Sequence, residues 1–182
     1  MPTSPEYMAE QAALHSNYRM FANTNSKMHD RPAGDAPLAL QSPLPPLDAE
    51  GWLNETPTAD DISGKVLVVD VWDGVCPYCS LTAPLLLKAH DKFSDDAVEF
   101  IGLTSAEKED ARAYVDAAHL TWPNAYGAGE TIDALGANAP TLFVIGADGH
   151  VAWHDDSARY WHDIGKLDKR LEAAIEHALS AM

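Results

Sequence analysis

The chain is expected to fold as an α/β protein around a mixed sheet, and three observations carry that expectation. "KVLVVDVW", from Lys65 to Trp72, is apolar and β-branched, as befits a strand buried on both faces. Strand-like and helix-like segments alternate after it. Near the end, "PTLFVIGADGHVAWHD" holds two apolar runs joined by Asp148-Gly149, a strong two-residue hairpin signal. Parallel alternation that closes in a hairpin and a helix yields a sheet with both strand directions.

The elements follow in order. Over residues 5–21, Tyr7, Gln11, Leu14, Tyr18 and Phe21 fall on one stripe, and Ser4-Pro5 is a start signal, so an amphipathic helix is expected there. Residues 23–50 are rich in proline and small side chains and predict an extended arm. A globular unit begins near Trp52. A helix is expected to follow the cysteine pair and run towards Phe93, and "AVEFIGLT" reads as the next strand. "SAEKEDARAYVDAAHL" reads as a helix with Ser105 as N-cap and acidic first turns from Glu107, Glu109 and Asp110. A short helix at "ETIDALG" precedes the hairpin, and a closing helix spans residues 163–179.

Bulk composition removes some functions. The 182 residues carry a formal net charge of −16, which repels nucleic acid and anionic lipid, so neither is an expected partner. No stretch approaches the roughly 20 apolar residues of a spanning helix, and the N-terminus lacks the basic-then-apolar order of a secretory signal. Taken literally, the chain is cytoplasmic; a periplasmic or otherwise exported setting would follow had a targeting segment been removed.

Only two cysteines are present, Cys76 and Cys79, in "DGVCPYC". Such a pair serves as a metal clip, a structural disulfide or a redox couple. A zinc site needs two further ligands from eight scattered histidines; His150 and His154, four apart on an expected strand, are candidates to share a face. A disulfide closing so short a loop removes little chain entropy. The redox reading draws on position. With the strand ending near Trp72, Cys76 sits at the mouth of a helix whose free N–H groups and dipole favour a thiolate, and Pro77 occupies the first turn at no cost. Cys79 lies one turn further in, within reach of a mixed disulfide on Cys76.

"GKVLVVDVWDGVCPYCSLTAP" resembles the thioredoxin-like disulfide oxidoreductases, in particular the TlpA/ResA-type subgroup, through Gly64, Lys65, Trp72, Cys76, Cys79 and Pro84. "APTLFVIGADGHV" is similar to that family's segment of cis-proline, strand and hairpin, with Pro140 lying 64 residues after Cys76. A minimal thioredoxin needs about twenty fewer, and an extra helix and strand before the proline, drawn from "SAEKEDARAYVDAAHL" and "WPNAYG", fill the difference. The resemblance runs from about residue 43 to the C-terminus. It implies a thioredoxin fold, a mixed central sheet with helices on both faces. The organisation expected is an N-terminal helix and Pro-rich arm over 1–50 and a thioredoxin-like domain over 51–182.

The resemblance also implies roles. Cys76 attacks a partner disulfide and Cys79 resolves the mixed disulfide. Asp70, six positions before Cys76 and expensive to bury among valines, is expected to have a raised pKa and to take the Cys79 proton. Pro140 is the expected cis-proline, leaving the Ala139 backbone free to pair with an extended substrate segment. Trp72 is expected to pack under the active-site loop, and Trp72, Pro77, Tyr78, Ala139 and Pro140 complete the implied substrate-binding set. Pro84 is expected to kink the long helix. The partners implied are protein disulfides and a reducing protein. No cofactor or resident metal is implied, and nothing in the sequence sets an oligomeric state.

The filling of the motif departs from the family. Val75 stands where a tryptophan is frequent, Asp73 replaces an alanine or threonine, and Pro77-Tyr78 is the dipeptide of glutaredoxins. Asp73 opposes a thiolate at Cys76. With no histidine or other cation between the cysteines, a strongly oxidising couple is not expected, and reduction of partners is the favoured direction. Two alternatives stand beside it. One is a copper(I)- or zinc-binding module on the same fold. The other is a thiol peroxidase, which wants a serine or threonine three residues before its reactive cysteine, where this chain has Asp73.

Overall fold

Six consecutive buried residues, Val66–Val71, form the central strand of the sheet, as their β-branched character requires. The computed structural model describes residues 37–182. The helix expected over residues 5–21 and the first part of the arm lie outside the described residues.

In chain order the elements are β1 (Gly51–Leu53), α1 (Ala59–Ile62), β2 (Val66–Val71), α2 (Pro77–Lys92), β3 (Val98–Leu103) and α3 (Lys108–Ala117). Then come β4 (Asn124–Tyr126), α4 (Gly129–Ala134), β5 (Thr141–Ile145), β6 (Val151–Asp156), a 3-10 turn (Ser157–Tyr160) and α5 (Ile164–Ser180). The strands form one sheet in the order β1-β4-β3-β2-β5-β6. β2, β3 and β4 run parallel, whereas β1, β5 and β6 pair antiparallel with their neighbours. Before Pro140, "SAEKEDARAYVDAAHL" contains the helix α3 and "WPNAYG" contains the strand β4.

Alternation along β2 sorts the core onto two sides. Val66, Val68 and Trp72 join the cluster that α2, α3 and α5 cover with Leu86, Val115 and Leu171. Leu67, Val69 and Val71 join a second cluster with Ile132 and Leu135 around α4. Asp70 shares the parity of Val68 and Trp72, so its carboxyl faces the α2 side.

Residues 37–50 turn once at Leu40-Gln41, where the Ser42 N–H donates to the Ala39 carbonyl (3.1 Å), and lie along the second cluster, with Leu38, Leu44, Leu47 and Ala49 packed on it. Main-chain bonds pin them, from Leu38 N–H to the Leu135 carbonyl (3.0 Å) and from Leu44 N–H to the Gly149 carbonyl (2.9 Å). The described part of the arm thus wraps its own domain. Pro84 lies inside α2, which continues to Lys92.

Two expectations need correction. Ser105 does not cap α3: the Thr104 hydroxyl takes the Ala106 N–H (3.2 Å), the chain stays extended, and Glu107 is the N-cap without a side-chain bond. His150 and His154 do not share a face. A register shift lies between Val144 and Ile145 opposite β6, so Val151 joins the second cluster while Ala152 and Trp153 both pack on the first. His154 returns to the second, against Phe143, whereas His150 adjoins Val151 on the opposite side. The Asp148-Gly149 turn forms as expected, with Gly149 at φ 79°, a left-handed value that favours glycine. No helix among the described residues is long and apolar enough to cross a membrane.

Candidate active site

The cysteine pair occupies the joint between β2 and α2. Asp73 accepts twice, its carbonyl from the Cys76 N–H (3.0 Å) and its Oδ1 from the Val75 N–H (3.0 Å), which curls the chain into the helix. Cys76 is the N-cap of α2 and Pro77 follows in the first turn. The Cys76 Sγ accepts the Cys79 N–H at 3.3 Å, taking the place an oxygen occupies in an ordinary N-cap. Both cysteines are free thiols; Cys76 is half-buried and Cys79 is buried.

Their environments separate the two thiols. Hydrogen bonding from Cys79 and from the Cys79 and Tyr78 main chain holds Cys76 below the ordinary thiol value, against burial and the Asp73 charge. Burial, and then the Cys76 sulfur beside it, push Cys79 well above that value. Asp70 is 4% exposed, and burial pushes its carboxyl up to about 7. Its charge is also felt at Cys79.

The sheet register brings the second motif to the first. β5 runs antiparallel to β2, with Val71 opposite Thr141, so the residue before β5 stands level with the residue after β2. That places Pro140 beside Trp72, at the entrance to the cysteine loop. The Ala139–Pro140 bond is cis. Pro140 is buried, and half-buried Ala139 packs on the same cluster as Cys76, beyond the last rung of the ladder. Tyr78, 37% exposed, and half-buried Pro77 lie on the outer surface of the loop. Trp72 does not: it is 1% exposed and lies beneath the loop, so it supports the site from within and offers no surface to a docked chain.

Three further residues shape the site and were not singled out from the sequence. Asn124 on β4 accepts the Trp72 indole N–H (3.0 Å). Tyr114 on α3 stacks on the Trp72 ring, centroids 4.3 Å apart and planes 21° from parallel. Ser157 donates its N–H to the Pro140 carbonyl (3.0 Å). Tyr114 had a signal, since Ala111, Tyr114, Val115 and Ala118 form an inward stripe at helical spacing. Asn124 and Ser157 had none, because their partners are set by pairing across the sheet. Among the described residues no group of three or more His, Cys, Asp or Glu side chains is gathered to hold a metal.

A mixed sheet of this order, with a C-x-x-C at the mouth of the helix after its central strand, defines a thioredoxin-like protein. Solved structures agree on the fold. A thioredoxin-like protein in its oxidised form aligns with TM-score 0.65 at 18% identity, covering 80% of this chain and 99% of that one. A thiol-disulfide isomerase from Corynebacterium glutamicum aligns with TM-score 0.60 at 24% identity, covering 71% and 95%. Within that class the chain belongs to the AhpC/TSA family, whose sequence profile matches residues 40–154. Protein FixW of Rhizobium leguminosarum is 35% identical over 135 residues, 65% of this chain and 61% of that relative's length.

Proposed function

We propose that the protein is a thiol-disulfide oxidoreductase of the TlpA/ResA type that reduces disulfides in partner proteins. The observation that carries this reading is the asymmetry of the pair: a half-buried thiol favoured as thiolate beside a buried thiol held protonated next to a carboxyl that titrates near 7.

In the forward direction the Cys76 thiolate attacks one sulfur of a partner disulfide. A Cys76–partner bond forms, the partner disulfide breaks, and the departing thiolate takes a proton from solvent. Asp70, as carboxylate, then accepts the Cys79 proton, and the Cys79 thiolate attacks Cys76 Sγ. The Cys76–Cys79 disulfide forms and the second partner sulfur leaves as thiolate. Two electrons pass from the dithiol to the partner, and a reducing protein of dithiol type restores the pair. The Ala139 main chain offers an extended partner segment a strand edge beside Cys76, and Tyr78 and Pro77 flank it.

The test is equilibration of the Cys76–Cys79 couple with glutathione together with reduction of insulin disulfides. Turnover is expected, lost in Cys76→Ser, with a trapped mixed disulfide in Cys79→Ser. Absence of turnover together with tight copper(I) binding by the dithiol would establish the metal-binding alternative.

A further inference from the structure

Among the described residues, large apolar side chains are left exposed only at Leu40, Tyr78, Trp161 and Met182. Trp161 is 55% exposed, although its ring is among the largest apolar surfaces a side chain can bury. Its place in the fold is fixed from both sides. Behind it, Ser157 donates its N–H to the Pro140 carbonyl (3.0 Å), and the 3-10 turn that starts there packs against α2. Ahead of it, α5 runs beside α2 in the same direction, with Lys88 paired to Asp168 and Lys92 to Glu172 (2.9 Å). That pairing sets Ile164, where α5 begins, level with Pro84. Trp161 therefore stands on the surface between the cis-proline and the second turn of α2. Leu81 and Tyr78 lie about two and four turns before Lys88 and Lys92, so they share the side of α2 that faces α5 and the turn leading into it. Tyr78 is exposed and Leu81 half-buried, which leaves apolar surface available on that side.

Hydrogen bonds and ion pairs brace the turn that carries Trp161. Asp155 accepts from the Tyr160 hydroxyl (2.5 Å) and pairs with Arg159 (3.8 Å) and Arg170 (3.0 Å). Asp156 Oδ1 accepts the Ala158 N–H (2.9 Å), and the Asp163 N–H donates to the Tyr160 carbonyl (2.9 Å). The Trp161 ring lies against His162. None of these bonds uses the indole, so the backbone around it is held while the ring faces water. Asp155, Asp156 and Asp163 are matched around it by Arg159, Lys166 and Arg170, which leaves the turn near neutral in a chain of net charge −16. Such a surface suits an apolar occupant better than a charged one.

We propose that Trp161 is a specificity-determining residue for partner docking: with Tyr78 and Leu81 it takes a large apolar side chain that sits next to the partner's disulfide. The inference rests on the partner-disulfide chemistry proposed above and names the class of segment it acts on. A partner strand paired at the Ala139 edge, with its sulfur at Cys76, has this strip alongside it. A held tryptophan is well suited to anchor such a segment, because ordering it costs little.

The test mixes reduced protein, under single-turnover conditions, with two peptide disulfides that differ only in leucine or serine beside the half-cystine. The parent is expected to attack the leucine peptide about tenfold faster at limiting concentration. Trp161→Ala and Trp161→Gln should lose that preference, and Trp161→Phe should keep most of it. Resolution by Cys79 and attack on the serine peptide should stay within twofold in all three. A parent without the preference, or a preference that survives Trp161→Ala, overturns the inference and leaves the proposed function standing. An equal fall with both peptides does the same, since Trp161 would then act through the thiols. Sedimentation of the parent as a dimer that Trp161→Ala dissolves makes a second copy the occupant and also overturns it. Loss of folding in both the alanine and glutamine variants counts against it too, because an exposed anchor is not needed for the fold. A parent that reduces neither peptide overturns both readings.

Discussion

Asn124 Oδ1 accepts the Trp72 indole N–H at 3.0 Å directly above Gly102, the one position between them that carries no side chain. A Cβ there would stand 1.8 Å from the Asn124 oxygen and 2.7 Å from the indole nitrogen. β3 separates β2 from β4, so this bond crosses a whole strand and is possible only because the strand between is bare at that point. The amide completes its own set by donating to the Trp122 carbonyl (2.8 Å).

Gly102→Ala is therefore expected to destabilise the protein by about 3 kcal/mol or more, as forced overpacking does. Asn124→Ala should cost about 1–3 kcal/mol by leaving a buried indole N–H unpaired. The double variant should be more stable than the sum of the two, since truncating Asn124 vacates the space the new methyl needs. Urea denaturation of the four proteins measures the coupling.

Asp70 makes stability depend on pH with a definite sign. Its carboxyl titrates near 7 when folded and near the ordinary 3.8 when unfolded, so between those values the folded state holds the extra proton. Its penalty is absent below pH 3.8, grows as pH rises through the window and is complete above about 7. The full penalty is on the order of 4 kcal/mol. Asp70→Asn should raise stability at pH 8 by far more than at pH 4, as read from denaturation midpoints at the two values. The same variant should slow the resolving step more than the attack.

Iodoacetamide should distinguish the thiols. At pH 7 Cys76 is expected to react at least tenfold faster than Cys79, because only the first is both accessible and favoured as thiolate. Asp73→Asn removes a charge that opposes the Cys76 thiolate and keeps an oxygen for the Val75 N–H. It should speed alkylation of Cys76 a few-fold at pH 6–7, with the rates of the two cysteines followed by peptide mass spectrometry.

Asp155 ties the end of β6 to the C-terminal helix. Its buried carboxylate accepts from the Tyr160 hydroxyl (2.5 Å) and from Arg170 Nε (3.1 Å) and Nη2 (3.0 Å). Two residues on, Ser157 donates to Pro140. Asp155→Ala should cost about 2–4 kcal/mol, because it strips a desolvated network of its acceptor. Amide exchange at Ser157 should accelerate more than at the centre of β5.

The local devices of the site were legible in the sequence because each is written in neighbouring residues. β-branched residues announced β2, Pro77 announced the start of α2, Asp148-Gly149 announced the hairpin, and the cysteine spacing placed both thiols on one helical turn. Ser105 misled because the Thr104 hydroxyl, one residue earlier, takes the main-chain N–H that follows. The histidine pair misled because a bulge in the partner register cancels the alternation that sequence spacing assumes.

What the sequence alone determined is the fold class, the pair of thiols at a helix mouth and the acid at the end of the strand before it, since all three depend on periodicity and short-range geometry. Tertiary structure decided which groups surround them. The antiparallel placement of β5 sets Pro140 against Trp72, a bare Gly102 lets Asn124 reach across β3, and α3 lays Tyr114 under the loop. These contacts join residues tens of positions apart, and only the strand order of the sheet selects them from the many that alternation allows.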